Sequence, residues 1–126
     1  MTRHIDTYWA VIGAAPFTWS WWQPMDERLP EDDPFGDYPR KWINWSVSAA
    51  ELGDDGSIVS THTFTHADIV RACQAILGGI PGHDFRAEVQ ANCTELLYGD
   101  PDDVDFDADG ADAVLQVAAF GEVRYG

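Results

Sequence analysis

"KWINWSVSAAELGDDGSIVSTHTF", residues 41–64, is the stretch from which the fold is read. Two runs rich in β-branched and aromatic residues flank Gly53-Asp54-Asp55-Gly56, whose glycines and aspartates suit the positive-φ positions of a tight turn. The pattern predicts an antiparallel hairpin, 41–52 pairing with 57–64. Side chains alternate across a strand, so Ile58, Ser60, His62 and Phe64 share one face and Val59, Thr61 and Thr63 the other.

Downstream of the hairpin the apolar period lengthens to that of helices. Thr65 is placed to cap a helix, with Asp68 three residues on in the reciprocal position. Ile69, Val70, Cys73, Ile76 and Leu77 follow at helical spacing, and Gly78-Gly79 ends the run before Pro81. A second helix is predicted from Asp84, with Phe85, Val89, Cys93, Leu96 and Leu97 as its stripe until Gly99. The third, 111–123, is apolar nearly all round, broken by Asp112, Gln116 and Glu122, as expected of a helix buried on most faces. A short final strand is predicted at 122–126.

Upstream, "DTYWAVIGA" (6–14) and "FTWSWW" (17–22) read as strands, the second placing Phe17, Trp19 and Trp21 on one face. Residues 23–40 hold four prolines and six acids and read as an acidic, Pro-rich surface loop. Strands first and helices afterwards predict an α+β fold. An antiparallel sheet of three to four strands in the N-terminal half packs against about three C-terminal helices. At 126 residues the chain fits a single domain, 1–126, that buries about two-thirds of its unfolded surface.

Charge bounds the function. Twenty-two acidic against seven basic side chains give a net charge of −15. Nucleic-acid binding requires Lys and Arg to displace counterions from phosphates, so direct DNA or RNA binding is disfavoured. An anionic membrane surface repels the chain for the same reason. The N-terminus lacks the basic and long apolar regions of a signal peptide, and no segment approaches the ~20 apolar residues of a membrane span. The expectation is a cytoplasmic protein. A salt-rich cytoplasm, where surface acids maintain solubility, accounts for the same charge without any partner.

Few residues offer chemistry. In "DPDDVDFDADGAD" (100–112), Asp105, Asp107, Asp109 and Gly110 match the opening of a calcium loop, but position 12 is the neutral Gln116 where a bidentate acid is required. The simpler reading is that Asp107 or Asp109 caps the third helix. His62, His66, Cys73, His83 and Cys93 match no zinc-ligand spacing, and the two cysteines read as buried thiols rather than a bridge. No nucleophile–base pair, phosphate-cradling loop or H-E-x-x-H motif is present, so no catalytic residue, metal or cofactor is assigned. The six tryptophans cluster on the predicted strands, where they either fill the core or show one sheet face to a partner.

"HTFTHADIVRACQAIL" (62–77) and the 100–126 segment, with its acidic P-D-D-x-D-F-D lead-in to an apolar helix, resemble small acidic proteins of unassigned function in actinobacteria and their phages. The resemblance implies a phage or prophage accessory protein and carries no catalytic residues with it. Together with the charge, it leads to an expected non-catalytic protein that binds a partner with a basic surface, in the manner of a DNA mimic. One acidic patch comprises Asp26, Glu27, Glu31, Asp32, Asp33 and Asp37. The other comprises Asp100, Asp102, Asp103, Asp105, Asp107 and Asp109, with Trp19, Trp21 and Trp22 as aromatic anchor. The alternatives are a small enzyme or ligand-binding module with a Trp-lined pocket, and a calcium-stabilised structural or virion component.

Overall fold

The structure is a computed structural model that describes residues 3–28 and 45–126. Strands β1 (Trp22–Arg28), β2 (Ser46–Leu52) and β3 (Ile58–Thr65) form one antiparallel sheet with β2 in the centre. The helices are α1 (His4–Val11), α2 (His66–Gly78), α3 (Ala87–Tyr98) and α4 (Ala108–Phe120). The fold is α+β, with three strands and four α-helices among the described residues.

The hairpin closes as its turn chemistry prescribes. The Gly53 N–H donates to the Ser57 carbonyl at 2.9 Å, and Gly56 takes φ +79°. The Asp55 carboxylate accepts from both the N–H and the hydroxyl of Ser57, at 3.0 and 2.6 Å. The register sets Val47 opposite Phe64, Ala49 opposite His62 and Glu51 opposite Ser60. These six form the inner face, so the expected alternation holds over 60–64. A bulge at Val59 breaks it before that, and Ile58, expected on the inner face, pairs with Leu52 and is exposed. On the outer face Ser48 and Thr63 pair their hydroxyls at 2.9 Å, and Val59 is exposed.

Three segments differ from expectation. Residues 4–11 form a helix, not a strand: Ile5, Tyr8 and Val11 are buried at a spacing of three. The Asp6 carboxylate accepts the Arg3 N–H at 2.9 Å, half of a capping box that nucleates the first turn. The β-branched and aromatic content outweighs that short signal in the sequence, and packing of α1 on α2 and α4 reverses the balance. Residues 17–22 do not form a strand either. Ala15 takes the left-handed φ of 58°, Pro16 opens a 3-10 turn to Thr18, and the Trp22 N–H closes a further turn onto Trp19 at 3.2 Å. The alternation of Phe17, Trp19 and Trp21 therefore describes no single face. Finally, residues 122–126 form no strand.

The expected acidic loop is also shorter at its start, because Gln23–Arg28 completes β1 with a register irregularity after Pro24. An edge strand tolerates proline, since its outward N–H needs no partner. Residues 29–40 of that loop lie outside the described residues, as do 41–44 of the first hairpin run.

The helices follow their caps. Thr65 and Asp68 complete the predicted capping box on α2, with the Thr65 N–H donating to Asp68 at 3.0 Å. Helix α3 starts at Ala87 rather than Asp84, and its stripe is Val89, Cys93, Leu96 and Leu97. Asp107 caps α4, accepting the Gly110 N–H at 2.6 Å. Helix α2 packs against α3 and α4, and α4 also meets β3, so the core lies between the helices and the inner sheet face. Cys73 and Cys93 are both buried and unbridged. The neighbouring Cys93 thiol and burial hold the Cys73 pKa well above its ordinary value.

Candidate functional site

Helix α4 and the tail that follows it build an uncommon arrangement against the inner sheet face: two buried carboxylates compensated in opposite ways. Asp112, in the second turn of α4, is only 2% exposed. One of its oxygens accepts the indole N–H of Trp22 at 2.6 Å and of Trp21 at 3.0 Å. The other accepts the Gln116 side-chain amide at 2.8 Å, one helical turn on, where i and i+4 side chains meet. No cation pairs with Asp112 among the described residues. Burial pushes its pKa up, the three N–H donors pull it back, and the balance stays above the ordinary carboxylate value.

Glu51 on β2 is as buried, at 3% exposed. It accepts the Ser60 hydroxyl at 2.8 Å and the Tyr125 hydroxyl at 2.5 Å. The Arg124 guanidinium stands 3.6 Å away and the His62 ring nitrogen 4.0 Å. Burial acts upward here too, but the hydrogen bonds from Tyr125 and Ser60 and the charges of Arg124 and His62 outweigh it. Its pKa is held below the ordinary value. The difference between the two carboxylates is a guanidinium: Glu51 has one, Asp112 does not.

Gln116 ties the two together. Fully buried, its carbonyl oxygen accepts the backbone N–H groups of Arg124 and Tyr125 at 2.8 and 2.9 Å, and its amide donates to the Tyr125 carbonyl at 3.1 Å. This clasp takes the place of a strand ladder for the tail. It seats Tyr125 in a column of parallel rings, 5.6 Å from Trp21, which is itself 5.5 Å from Trp19. Arg124 lies over the Phe120 ring at 4.3 Å. Beside this cluster a cleft of about 230 Å³ opens between residues 83–86, α4 and the tail, with Phe85, Arg86, Asp109, Asp112, Gln116 and Tyr125 in its wall.

The residues expected to meet a partner are dispersed. Trp22 stacks on Phe120 at 5.8 Å and is 4% exposed, which corrects its expected place in a surface anchor. Trp19 and Trp21 are half-buried. Among the described residues the most exposed tryptophan is instead Trp9, at 57%. On α1, Trp9 follows Ile5 by one helical turn and lines the same cleft, so neither a strand nor a helical reading of 4–11 marks it as exposed. This second cleft, of about 340 Å³, is also lined by Pro101, Asp102 and Val104.

Of the first acidic patch, Asp26 and Glu27 lie exposed on β1, Glu27 accepting the Tyr8 hydroxyl. Glu31, Asp32, Asp33 and Asp37 lie outside the described residues. The second patch divides. Asp107 and Asp109 are held by Arg86, at 3.2 and 3.3 Å. The Asp105 backbone is clamped by Asn92 at 2.9 and 3.2 Å. Asp100, Asp102, Asp103 and Asp105 carry exposed carboxylates that pair with no cation among the described residues. Among those same residues no three His, Cys, Asp or Glu side chains converge as metal ligands, and no helix is long and apolar enough to cross a membrane. His62 instead faces Ser60 at 2.8 Å, and His66 stacks on His4 at 3.9 Å. No family model, curated protein or solved structure matches the chain.

Proposed function

We propose that the chain is a non-catalytic acidic interaction protein of the phage or prophage accessory type. It binds a host protein through that protein's basic, nucleic-acid-binding surface, as a DNA mimic does. The observation that carries this reading is the 100–105 turn, where Asp100, Asp102, Asp103 and Asp105 stand exposed and Asp102 shares a cleft with the exposed Trp9. Four of the arginines, Arg3, Arg71, Arg86 and Arg124, are ion-paired within the chain and do little to dilute the surface field. Opposite charge speeds encounter and fixes orientation, while a tryptophan that loses water at the contact supplies an anchor. A partner of this kind places the protein in the host cytoplasm.

The test is affinity capture from host lysate at about 50 mM and about 500 mM salt, with duplex DNA as competitor. The proposal expects a basic nucleic-acid-binding protein that is retained at low salt and released by high salt or by DNA. It expects retention to be lost in Trp9→Ala and when Asp100, Asp102, Asp103 and Asp105 are changed together to Asn. Capture that ignores salt, or that DNA fails to compete, overturns it.

A further inference from the structure

The cleft beside Asp112 shares no lining residue with the Trp9–Asp102 surface, and its chemistry is different. Its wall contains a buried carboxylate whose charge is met, among the described residues, only by neutral N–H groups. A carboxylate has about four lone-pair positions; two donors reach Asp112 Oδ1 and one reaches Oδ2, which leaves acceptor capacity on Oδ2 of a residue in the cleft wall. Phe85 and Tyr125 add aromatic wall, and Asp84 and Asp109 add negative charge. Arg86, the cation that also lines the cleft, is already engaged by Asp107 and Asp109.

The same fold shows what completes such a site. Around Glu51, a guanidinium stands 3.6 Å from the carboxylate and lies over the Phe120 ring at 4.3 Å. Around Asp112 the carboxylate and the rings are present, but the guanidinium in the same wall, that of Arg86, is committed to Asp107 and Asp109. We infer that this cleft is a binding site for a guanidinium group. A planar, weakly hydrated cation loses less on entering an aromatic-walled cleft than a compact ammonium does, and it presents several N–H donors in one plane. At about 230 Å³ the cleft holds a guanidinium with a short alkyl stem, a group that a free alkylguanidine or an arginine side chain of a polypeptide supplies equally.

The indoles of Trp21 and Trp22 end on Asp112, so their fluorescence reports occupancy directly. The experiment titrates the protein with millimolar agmatine, with an acetylated, amidated arginine tripeptide, and with putrescine and sodium chloride at matched ionic strength. The expected result is a saturable emission change and a raised Tm with agmatine or the tripeptide, and neither with putrescine or salt. Tighter agmatine binding identifies a free alkylguanidine as the source, and tighter tripeptide binding a polypeptide arginine. Asp112→Asn weakens binding by at least about tenfold. Asp84→Asn and Phe85→Ala, which leave the buried relay intact, each weaken it several-fold and serve if Asp112→Asn does not fold. The inference is overturned by no saturable change, by an equal response to putrescine or salt, or by undiminished binding in these variants. None of these outcomes depends on the acidic surface proposed above.

Discussion

Replacing Gln116 by Leu is the most direct probe of the tail clasp, because the two side chains have similar volume and the position is fully buried. The change removes four hydrogen bonds at once: two accepted from the Arg124 and Tyr125 amides, one donated to the Tyr125 carbonyl, and one donated to Asp112. The three neutral bonds are each worth about 1 kcal/mol net and the charge-assisted one about 2 kcal/mol. Burial of the leucine returns part of this, and the released tail backbone finds water. The expected loss is therefore about 3 kcal/mol. For a chain of this length that lowers Tm by about 10 °C. Urea unfolding followed by tryptophan fluorescence gives the energy, and hydrogen exchange at Arg124 and Tyr125 gives its location. Both amides are expected to lose protection while the centre of α2 keeps it. A loss below about 1 kcal/mol with both amides still protected refutes the clasp.

Two further outcomes follow from the polar contacts. His66 is held neutral by burial first and by His4 beside it, against the opposing pull of Asp6, while Thr7 bonds its ring at 2.9 Å. Its folded pKa lies below the unfolded value of about 6.5, so the unfolded chain takes up the proton first and stability falls as pH drops through that window. Urea midpoints are expected to rise between about pH 5 and pH 7, and His66→Gln to flatten that rise; an unchanged slope removes His66 as its source. Asp107→Ala takes away the α4 cap and is expected to cost about 1 kcal/mol, against less than about 0.5 for Asp109→Ala, which breaks only an exposed pair with Arg86. Equal losses in the two variants, measured by thermal unfolding, contradict the assignment of Asp107 as the cap.

What could be read from the residues in order was whatever depends on neighbours in sequence. The 53–56 turn, the Thr65–Asp68 box and the Asp107 cap are each closed by groups within a few positions, and each forms as its spacing predicts. The inner face of β3 from Ser60 to Phe64 follows from alternation alone, and the stripes of α2 and α3 from the helical period; the bulge that turns Ile58 outward does not. The charge, likewise, sets the expectation against direct nucleic-acid and anionic-membrane binding before any fold is known. Tertiary structure decided the rest. Residues 4–11 carry strand-like composition and become a helix because three buried side chains reward that period more than local preference opposes it. Asp112 and Gln116 look like interruptions in an apolar helix. They are its most consequential residues only because Trp21, Trp22 and the tail, each distant in sequence or folded back, arrive with matching donors and acceptors. A buried polar group has meaning only through its partners, and those partners are set by the fold rather than by spacing along the chain.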